Sequence, residues 1–144
     1  NIIPEEVILE GTLRTLNNDV RSVVPNQMKE LVETLAKSYG GSAKFEYLPG
    51  YPVLVNDDRM TEVTHNALKG FLKEEQIKII EKPDMGGEDF AYIAQTVPSN
   101  FMYVGIMKDK PISHHHPDFH FDDENLKLLS ESLVRSAIAF LEKN

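Results

Sequence analysis

Hydrophobic positions along the chain follow two spacings in turn, and the changes between them predict strands separated by helices. Spacings of two over residues 5–16 and 42–48 predict half-buried strands, and shorter apolar runs at 77–80 and 101–106 predict two more. Spacings of three and four predict four helices, which begin at Asn17-Asn18-Asp19, near Asp58, after Gly86-Gly87 and at Asp122 or Asp123. Strands that alternate with helices indicate an α/β fold.

The predicted helices carry apolar stripes that should face a core. The first stripe consists of Val20, Val24, Met28, Leu31, Leu35 and Tyr39. Because a proline inside a helix costs about 3 kcal/mol, the first helix should either begin near Val24 or bend at Pro25. The third stripe consists of Phe90, Ile93, Ala94 and Val97, and the last of Leu126, Leu129, Leu133, Ala137 and Phe140. Two strands and one helix bury too little to be stable alone, so the first part of the chain should need partner strands.

Composition and charge narrow the classes of function. The 144 residues allow one domain or two small ones, and a formal net charge of −8 repels nucleic acid and anionic lipid surfaces. The apolar runs are far shorter than a membrane span, which predicts a soluble, cytoplasmic protein without a membrane partner. The chain has no cysteine, so any metal should bind through His, Asp or Glu. It also begins without Met, which suggests a piece of a longer protein.

The segment Met85-Gly86-Gly87-Glu88-Asp89-Phe90 is the first place where chemistry is expected. Paired glycines let a backbone approach a ligand closely, and a helix beginning after them would offer free N–H groups to a carboxylate. The alternative is structural, because Gly-Gly also makes tight turns and acidic residues complement the dipole of any helix that follows. The segment alone does not decide between these two interpretations.

The second candidate is the loop Ser113-His114-His115-His116-Pro117-Asp118-Phe119-His120, within a stretch from 107 to 120 that is rich in Lys, Pro and His. It holds four of the five histidines, and imidazole is the commonest metal ligand. Neighbouring side chains in an extended loop point in different directions, so one or two of them at most should reach a common ion. The alternatives are a solvated loop or the remnant of an affinity tag. His65 lies alone in a helix, where a structural role is the simpler explanation.

Four groups of residues, taken in order, resemble the metal-dependent amidohydrolases of the aminoacylase and carboxypeptidase-G type. The nearest branches are the hippurate hydrolases, the N-acyl-amino-acid amidohydrolases and the auxin-conjugate hydrolases. The resemblance extends over essentially the whole chain. It is carried by Gly11-Thr12-Leu13-Arg14-Thr15, by Gly50-Tyr51-Pro52 with Val55-Asn56-Asp57, by Met85 to Phe90, and by His115-His116-Pro117 with Phe119 and Phe121-Asp122.

The resemblance implies a hydrolase of N-acyl-amino acids or small peptides that uses a divalent metal, zinc or manganese, with two ions in the complete enzyme. Residues 1–55 would belong to a ferredoxin-like lid, which also forms a homodimer, and residues 56–144 would be the closing segment of the α/β catalytic domain. A Cys-x-His pair, a Glu-Glu pair with the general base and another His have no counterpart in this chain. No catalytic residue is therefore expected here, and the chain alone should be inactive.

Three assignments come from the resemblance residue by residue. His115 would be a metal ligand. Gly86, Gly87 and Glu88 would line the substrate pocket. Arg14 would meet the substrate carboxylate, where a guanidinium can form two parallel hydrogen bonds. His120 stands where the family commonly has an acidic residue, and Pro25 is another local departure.

Another class of function remains open on the residues alone. The chain would then be a noncatalytic α/β binding or dimerisation module that pairs its edge strands with a second copy. A third reading is a stand-alone regulator with a ferredoxin-like half, which would leave His114 to His116 unexplained.

Overall fold

A computed structural model describes residues 1–106 and 112–142, and the contacts within these ranges group the chain into two compact units. The first unit comprises residues 1–53 and 82–88, and the second comprises residues 54–81 and 89–144. The helices are α1 (Asn18–Ser38), α2 (Asp58–Lys69), α3 (Phe90–Ala94) and α4 (Asn125–Glu142), with a 3₁₀ turn at Glu74–Gln76. The predicted domains, 1–55 and 56–144, rest on the architecture of the family that the sequence resembles, and they stay predictions.

None of the described helices is long and apolar enough to cross a bilayer.

Helix α1 begins and ends where the sequence predicts. The Asn17 side chain accepts hydrogen bonds from the N–H groups of Asp19 at 2.7 Å and Val20 at 3.1 Å. At the other end Gly40 has a φ of +79°, and the N–H groups of Gly40 and Gly41 donate to the carbonyls of Lys37 and Ala36. This is a Schellman ending, and the positive φ explains the glycine.

Pro25 lies inside α1 and is buried, so the alternative that the helix begins near Val24 is wrong. The helix starts two turns earlier because the Asn17 cap satisfies its first N–H groups. The apolar stripe of α1 is not covered by the residues that the structure describes. Leu31 is 66% exposed and Leu35 is 54% exposed.

The segments predicted as strands have no assigned secondary structure, and no β-ladder joins them within residues 1–106 and 112–142. The predicted alternation is nevertheless present in part, because Ala43, Phe45 and Tyr47 are half-buried while the residues between them are exposed. On the exposed side the Lys44 and Glu46 side chains pair. Hydrogen bonding, together with charge attraction, raises the pKa of Lys44 and lowers the pKa of Glu46. The segment therefore has the two-faced pattern of a strand without a paired neighbour.

The prediction of the first strand fails over its opening residues. Val7 is 70% exposed and Leu9 is 93% exposed, whereas the predicted face should be half-buried. Leu13 alone of that face is half-buried. The reason is the one that limits any lone strand: side chains are covered only where another element lies against them.

Helices α2 and α4 pack against each other in the second unit. The apolar residues of α2 are covered at helical spacing, since Val63 is buried and Met60, Ala67 and Leu68 are half-buried. Its N-cap is Asp57, whose carboxylate accepts the Met60 N–H at 2.9 Å. The Arg135 guanidinium of α4 lies 4.8 Å from the centre of the Phe71 ring, a cation–π contact just beyond the end of α2.

The predicted inner face of α4 is only partly correct. Leu126 is 46% exposed and Leu133 is 56% exposed, whereas Ser132 is buried and Leu129 is half-buried. The Ser132 hydroxyl donates to the Leu128 carbonyl at 2.7 Å, so the buried oxygen is satisfied inside its own helix. A small residue allows two helix backbones to approach closely, and a search for large apolar residues overlooks it.

The N-terminal side of α4 follows the prediction more closely. The Asp122 carboxylate accepts the Glu124 N–H at 3.0 Å, one residue before the helix begins at Asn125. The Asn125 side chain donates to the Ile106 carbonyl at 2.9 Å, which ties this end of the helix to the segment 101–106. Residues 107–111, part of the predicted loop, lie outside the described residues, as do 143 and 144.

Asn56 joins two distant parts of the second unit through its side-chain amide. Its Nδ2 donates to the Phe101 carbonyl at 2.9 Å, and its Oδ1 accepts the Phe101 N–H at 2.8 Å. The next residue continues the connection, because the Asp57 N–H donates to the Ser99 carbonyl at 2.9 Å. One amide thus pairs with both backbone groups of a residue 45 positions away, as a neighbouring strand would.

We expect Asn56→Ala to lower the free energy of unfolding of the intact protein by about 1–2 kcal/mol, because both Phe101 bonds are lost. Urea denaturation of the purified protein measures this change. Asn66→Ala is the matched control, since Asn66 is exposed on α2 and its side chain bonds to no described residue. The control should keep or slightly raise stability, as alanine favours helix. Equal midpoints for the two variants would contradict the prediction.

Candidate functional site

Two of the predicted substrate-binding elements meet in the first unit. The Arg14 guanidinium donates a hydrogen bond of 2.6 Å to the Met85 carbonyl, across 71 residues of sequence. Met85 directly precedes Gly86 and Gly87, so Arg14 lies beside the Gly-Gly loop. The Gly86 N–H donates to the Asp84 carboxylate at 2.8 Å, which fixes the turn just before the glycines. Arg14, Gly86 and Gly87 are all exposed, and Glu88 is half-buried.

Gly87 has Tyr51 as a close neighbour. A Cβ placed on Gly87 would lie 3.4 Å from Cδ2 of Tyr51, so the tyrosine ring lies directly against this backbone. Tyr51, Asp84 and Met85 are contacts that the sequence analysis did not assign to the site. The motif Gly50-Tyr51-Pro52 was the available signal, because it belongs to the pattern that carries the family resemblance.

The helix predicted after the glycines is present but short, and the anion-binding role of its N-terminus stays a prediction. Helix α3 has five residues, Phe90–Ala94, and the side chain of its N-cap residue Asp89 forms no capping hydrogen bond. Such a short helix has a weak dipole. Its predicted stripe is partly correct, since Phe90 and Ala94 are half-buried, whereas Ile93 and Val97 are each 51% exposed and the buried residue is Ala91. Substrate binding at this loop would depend on Arg14 and the glycine backbone.

The histidine loop lies in the second unit, and three of its rings have partners within the loop. The His114 ring meets the Phe119 ring edge to face, with centres 5.2 Å apart. His116 Nδ1 accepts the Asp118 N–H at 3.1 Å. His120 Nδ1 lies 2.9 Å from the Asp118 carbonyl oxygen, at hydrogen-bond distance. Turns closed by the bonds from His116 N–H to the Ser113 carbonyl and from Phe119 N–H to the His116 carbonyl shape this segment.

The tautomer of His116 follows from its hydrogen bond. Because Nδ1 accepts a backbone N–H, the neutral ring carries its proton on Nε2. The Asp118 carboxylate lies 3.7 Å from the same Nδ1, and this distance is too long for a hydrogen bond. In addition, an Nδ1 without a proton has no hydrogen to donate to the carboxylate. His116 is therefore held by the backbone of Asp118 rather than by its charge.

His115 differs from the other three histidines of the loop. Its side chain is exposed and forms no hydrogen bond, ion pair or ring contact with a described residue. This leaves both ring nitrogens accessible. The residues described by the structure nevertheless contain no group of three or more His, Asp or Glu that could hold a metal ion. A zinc site needs three or four protein ligands, so His115 fits as a single ligand of a site that these residues do not complete.

A separate open cleft of about 570 Å³ lies in the second unit. It is lined by residues 55–58 and 94–98 and includes none of the predicted site residues. Its walls are the N-terminal end of α2 and the turn that follows α3. The cleft offers no cluster of catalytic groups, so the candidate site remains the Arg14 loop region in one unit and His115 in the other.

Comparison with known proteins gives consistent matches over nearly the whole chain. Residues 2–139 match the family described as peptidase family M20/M25/M40. An N-acetylcysteine deacetylase of Bacillus subtilis is 32% identical over 142 residues, covering 99% of this chain and 36% of the relative. Thermostable carboxypeptidase 2 of Saccharolobus solfataricus is 29% identical over 147 residues, covering 99% of this chain and 36% of the relative. The chain thus spans about a third of the length of these curated relatives.

A solved structure also matches. The crystal structure of the Bacillus subtilis YXEP protein, a dinuclear metal binding peptidase from the M20 family, aligns with a TM-score of 0.75 and 28% identity. The alignment covers 90% of this chain and 35% of that one. This likeness supports the predicted α/β class, although the ferredoxin-like lid stays a prediction because the described residues form no ladder.

We expect His116 to be the Nε2-protonated tautomer whenever its ring is neutral, because Nδ1 accepts the Asp118 N–H. Nitrogen-15 chemical shifts of histidine-labelled protein measure this directly. Asp118→Asn is the control, since it removes the carboxylate but keeps the backbone donor, and it should leave the tautomer unchanged. A proton on Nδ1 in the unsubstituted protein, or a tautomer that changes in Asp118→Asn, would contradict the assignment.

Proposed function

We propose, from the premise that this chain belongs to peptidase family M20/M25/M40, that its protein hydrolyses the amide bond of N-acyl-amino acids or small peptides. Relatives of the chain are hydrolases, among them a deacetylase of an N-acetyl-amino acid and a carboxypeptidase. Substrates of both kinds have an amide bond near a free carboxylate. The observation that carries the proposal is the hydrogen bond that places Arg14 beside the Gly-Gly loop.

Arg14 and the glycines would bind the carboxylate end of the substrate. A guanidinium has five N–H donors, and one bond to the Met85 carbonyl leaves others for a carboxylate. The exposed backbone of Gly86 and Gly87 would allow close approach, and Glu88 would line the same pocket. These groups orient the substrate and do no chemistry themselves.

His115 would bind one divalent metal ion, zinc or manganese, in a site of two ions. Such an ion polarises the amide carbonyl and makes hydroxide available near neutral pH. The proposal is supported by the accessible His115 ring and by the M20 relative that binds two metals. The contacts of His114, His116 and His120 within the loop would hold the backbone on both sides of His115.

The first unit would also form a homodimer, as the lid of this family implies. Support comes from the consecutive residues Val7, Ile8 and Leu9, which are 70%, 77% and 93% exposed. Three adjacent exposed hydrophobic residues in an extended segment can pair with another strand edge. The charge of −8 supports the expectation that nucleic acid is not a partner.

We expect His115→Ala to remove metal and activity from the intact protein. Turnover of a panel of N-acyl-amino acids should fall at least about 100-fold, because a metal ligand is lost. Bound metal, measured by elemental analysis after dialysis, should fall in the same variant. Both measurements use the intact protein, because the described residues alone do not complete a metal site.

The matched control is His114→Phe, which keeps the ring contact with Phe119 and removes both nitrogens. It should retain metal and turnover. Full metal content and activity in His115→Ala would exclude His115 from the site. An intact protein that neither binds metal nor hydrolyses any member of the panel would favour the noncatalytic binding module.

Substitution of Arg14 tests the carboxylate site separately from the metal. We expect Arg14→Met to raise KM for N-acyl-amino acids about tenfold with a smaller change in kcat, since a charge-assisted hydrogen bond is lost. Arg14→Lys should recover part of that loss, because an ammonium keeps the charge without the fork of donors. Steady-state kinetics on the intact protein gives both constants.

Lys37→Met is the control for charge alone. Lys37 is an exposed cation in the last turn of α1, in the same unit. Its substitution should leave KM unchanged. A fall in kcat at constant KM in Arg14→Met would assign Arg14 a role other than binding the carboxylate.

A further inference from the structure

The segment 50–53 is held at both ends by the first turn of α1. The Arg21 guanidinium donates to the Gly50 carbonyl. The Val53 N–H donates to the side-chain oxygen of Asn18 at 3.1 Å. Both bonds join residues about 30 positions apart, and Arg21 is half-buried while it makes its bond. Tyr51 lies between these two anchored residues, so its backbone position is fixed by the helix.

The Tyr51 ring contacts the Gly-Gly loop directly. A Cβ on Gly87 would lie 3.4 Å from Cδ2 and 4.0 Å from Cε2 of that ring, which is ordinary packing distance. Tyr51 as a whole residue is 51% exposed. The atoms nearest to position 87 are two ring carbons, which a phenylalanine at position 51 would also supply.

The same loop is held from its other side by polar bonds. Arg14 donates to the Met85 carbonyl at 2.6 Å, and Asp84 accepts the Gly86 N–H at 2.8 Å. Residues 84–87 are therefore fixed by a bond inside the loop, by Arg14 and by the Tyr51 ring. Movement of the loop away from Tyr51 would also move the carbonyl that positions Arg14.

We propose that Tyr51, anchored by Arg21, is a positioning residue that holds the Gly-Gly loop and, through Met85, the Arg14 guanidinium in the geometry that binds the substrate carboxylate. The expected effect on KM rests on the proposed function. The expected effect on the hydrogen exchange of residues 84–88 rests on the structure alone. Tyr51 contacts the loop and acts on the substrate through it.

Tyr51→Ala and Tyr51→Phe in the intact protein test the proposal by two measurements. Hydrogen exchange of peptides covering residues 84–88 should become about tenfold faster in Tyr51→Ala and stay unchanged in Tyr51→Phe, since only the alanine variant removes the ring that lies beside Gly87 and so loosens the loop. KM for N-acyl-amino acids should rise about tenfold in Tyr51→Ala with less than about threefold change in kcat, and Tyr51→Phe should restore it.

Two further variants make the result specific. Tyr39→Ala is the matched control, because Tyr39 lies in the same unit and is 86% exposed. It should change neither measurement. Arg21→Met removes the hydrogen bond to the Gly50 carbonyl and keeps the Tyr51 ring. It should also make hydrogen exchange of residues 84–88 faster. This variant tests the proposal if Tyr51→Ala does not fold.

The outcomes separate this inference from the proposed function. Unchanged exchange of residues 84–88 in both Tyr51→Ala and Arg21→Met would overturn the inference, whether or not the protein is active. A Tyr51→Phe variant with the KM of Tyr51→Ala would overturn it as well. If the unsubstituted protein hydrolyses no N-acyl-amino acid, the proposed function fails, and faster exchange in Tyr51→Ala would still support the positioning role within the loop.

Discussion

The hydrogen bond from Arg14 to the Met85 carbonyl is the constraint on which the candidate substrate site depends. It joins two segments that are 71 residues apart and places a cation beside two consecutive glycines. A backbone carbonyl is an uncharged acceptor, so the bond orients the guanidinium without neutralising it. The charge therefore remains for a second, anionic partner. A carboxylate of Asp or Glu in place of that carbonyl would have compensated the charge and left less attraction for a substrate.

Local hydrogen bonding explains which elements are predictable from the sequence. Helix α1 is predicted at both ends because Asn17 and Gly40 act on backbone groups within four residues of themselves. The strands are different, because a ladder needs a partner that local sequence does not specify. Around Phe45 only the alternation of half-buried and exposed positions is visible. At Phe101 the strand-like partner is a single side chain, that of Asn56, which no periodicity would reveal.

Packing at close range explains the errors about helix faces. Hydrophobic spacing selects the largest apolar side chains, and in α4 it selects Leu126 and Leu133, which remain about half exposed. The buried position is Ser132, whose hydroxyl is satisfied by its own helix. In α3 the buried residue is likewise the small Ala91. In both α3 and α4 the buried residue is small, whereas hydrophobic spacing selects large apolar side chains.

The four histidines of the loop 113–120 differ in their contacts, which amino-acid composition does not reveal. Four imidazoles within seven positions are equivalent candidates for a metal ligand on composition alone, and only the family resemblance selects His115. In the structure, Phe119 engages His114, and the backbone of Asp118 engages both His116 and His120. His116 would have to give up the bond from the Asp118 N–H before it bound an ion through Nδ1, whereas the ring contact of His114 uses neither nitrogen and the Nδ1 contact of His120 leaves its Nε2 available. His115 forms no hydrogen bond, ion pair or ring contact with a described residue, and its selection as the metal ligand rests on the family resemblance.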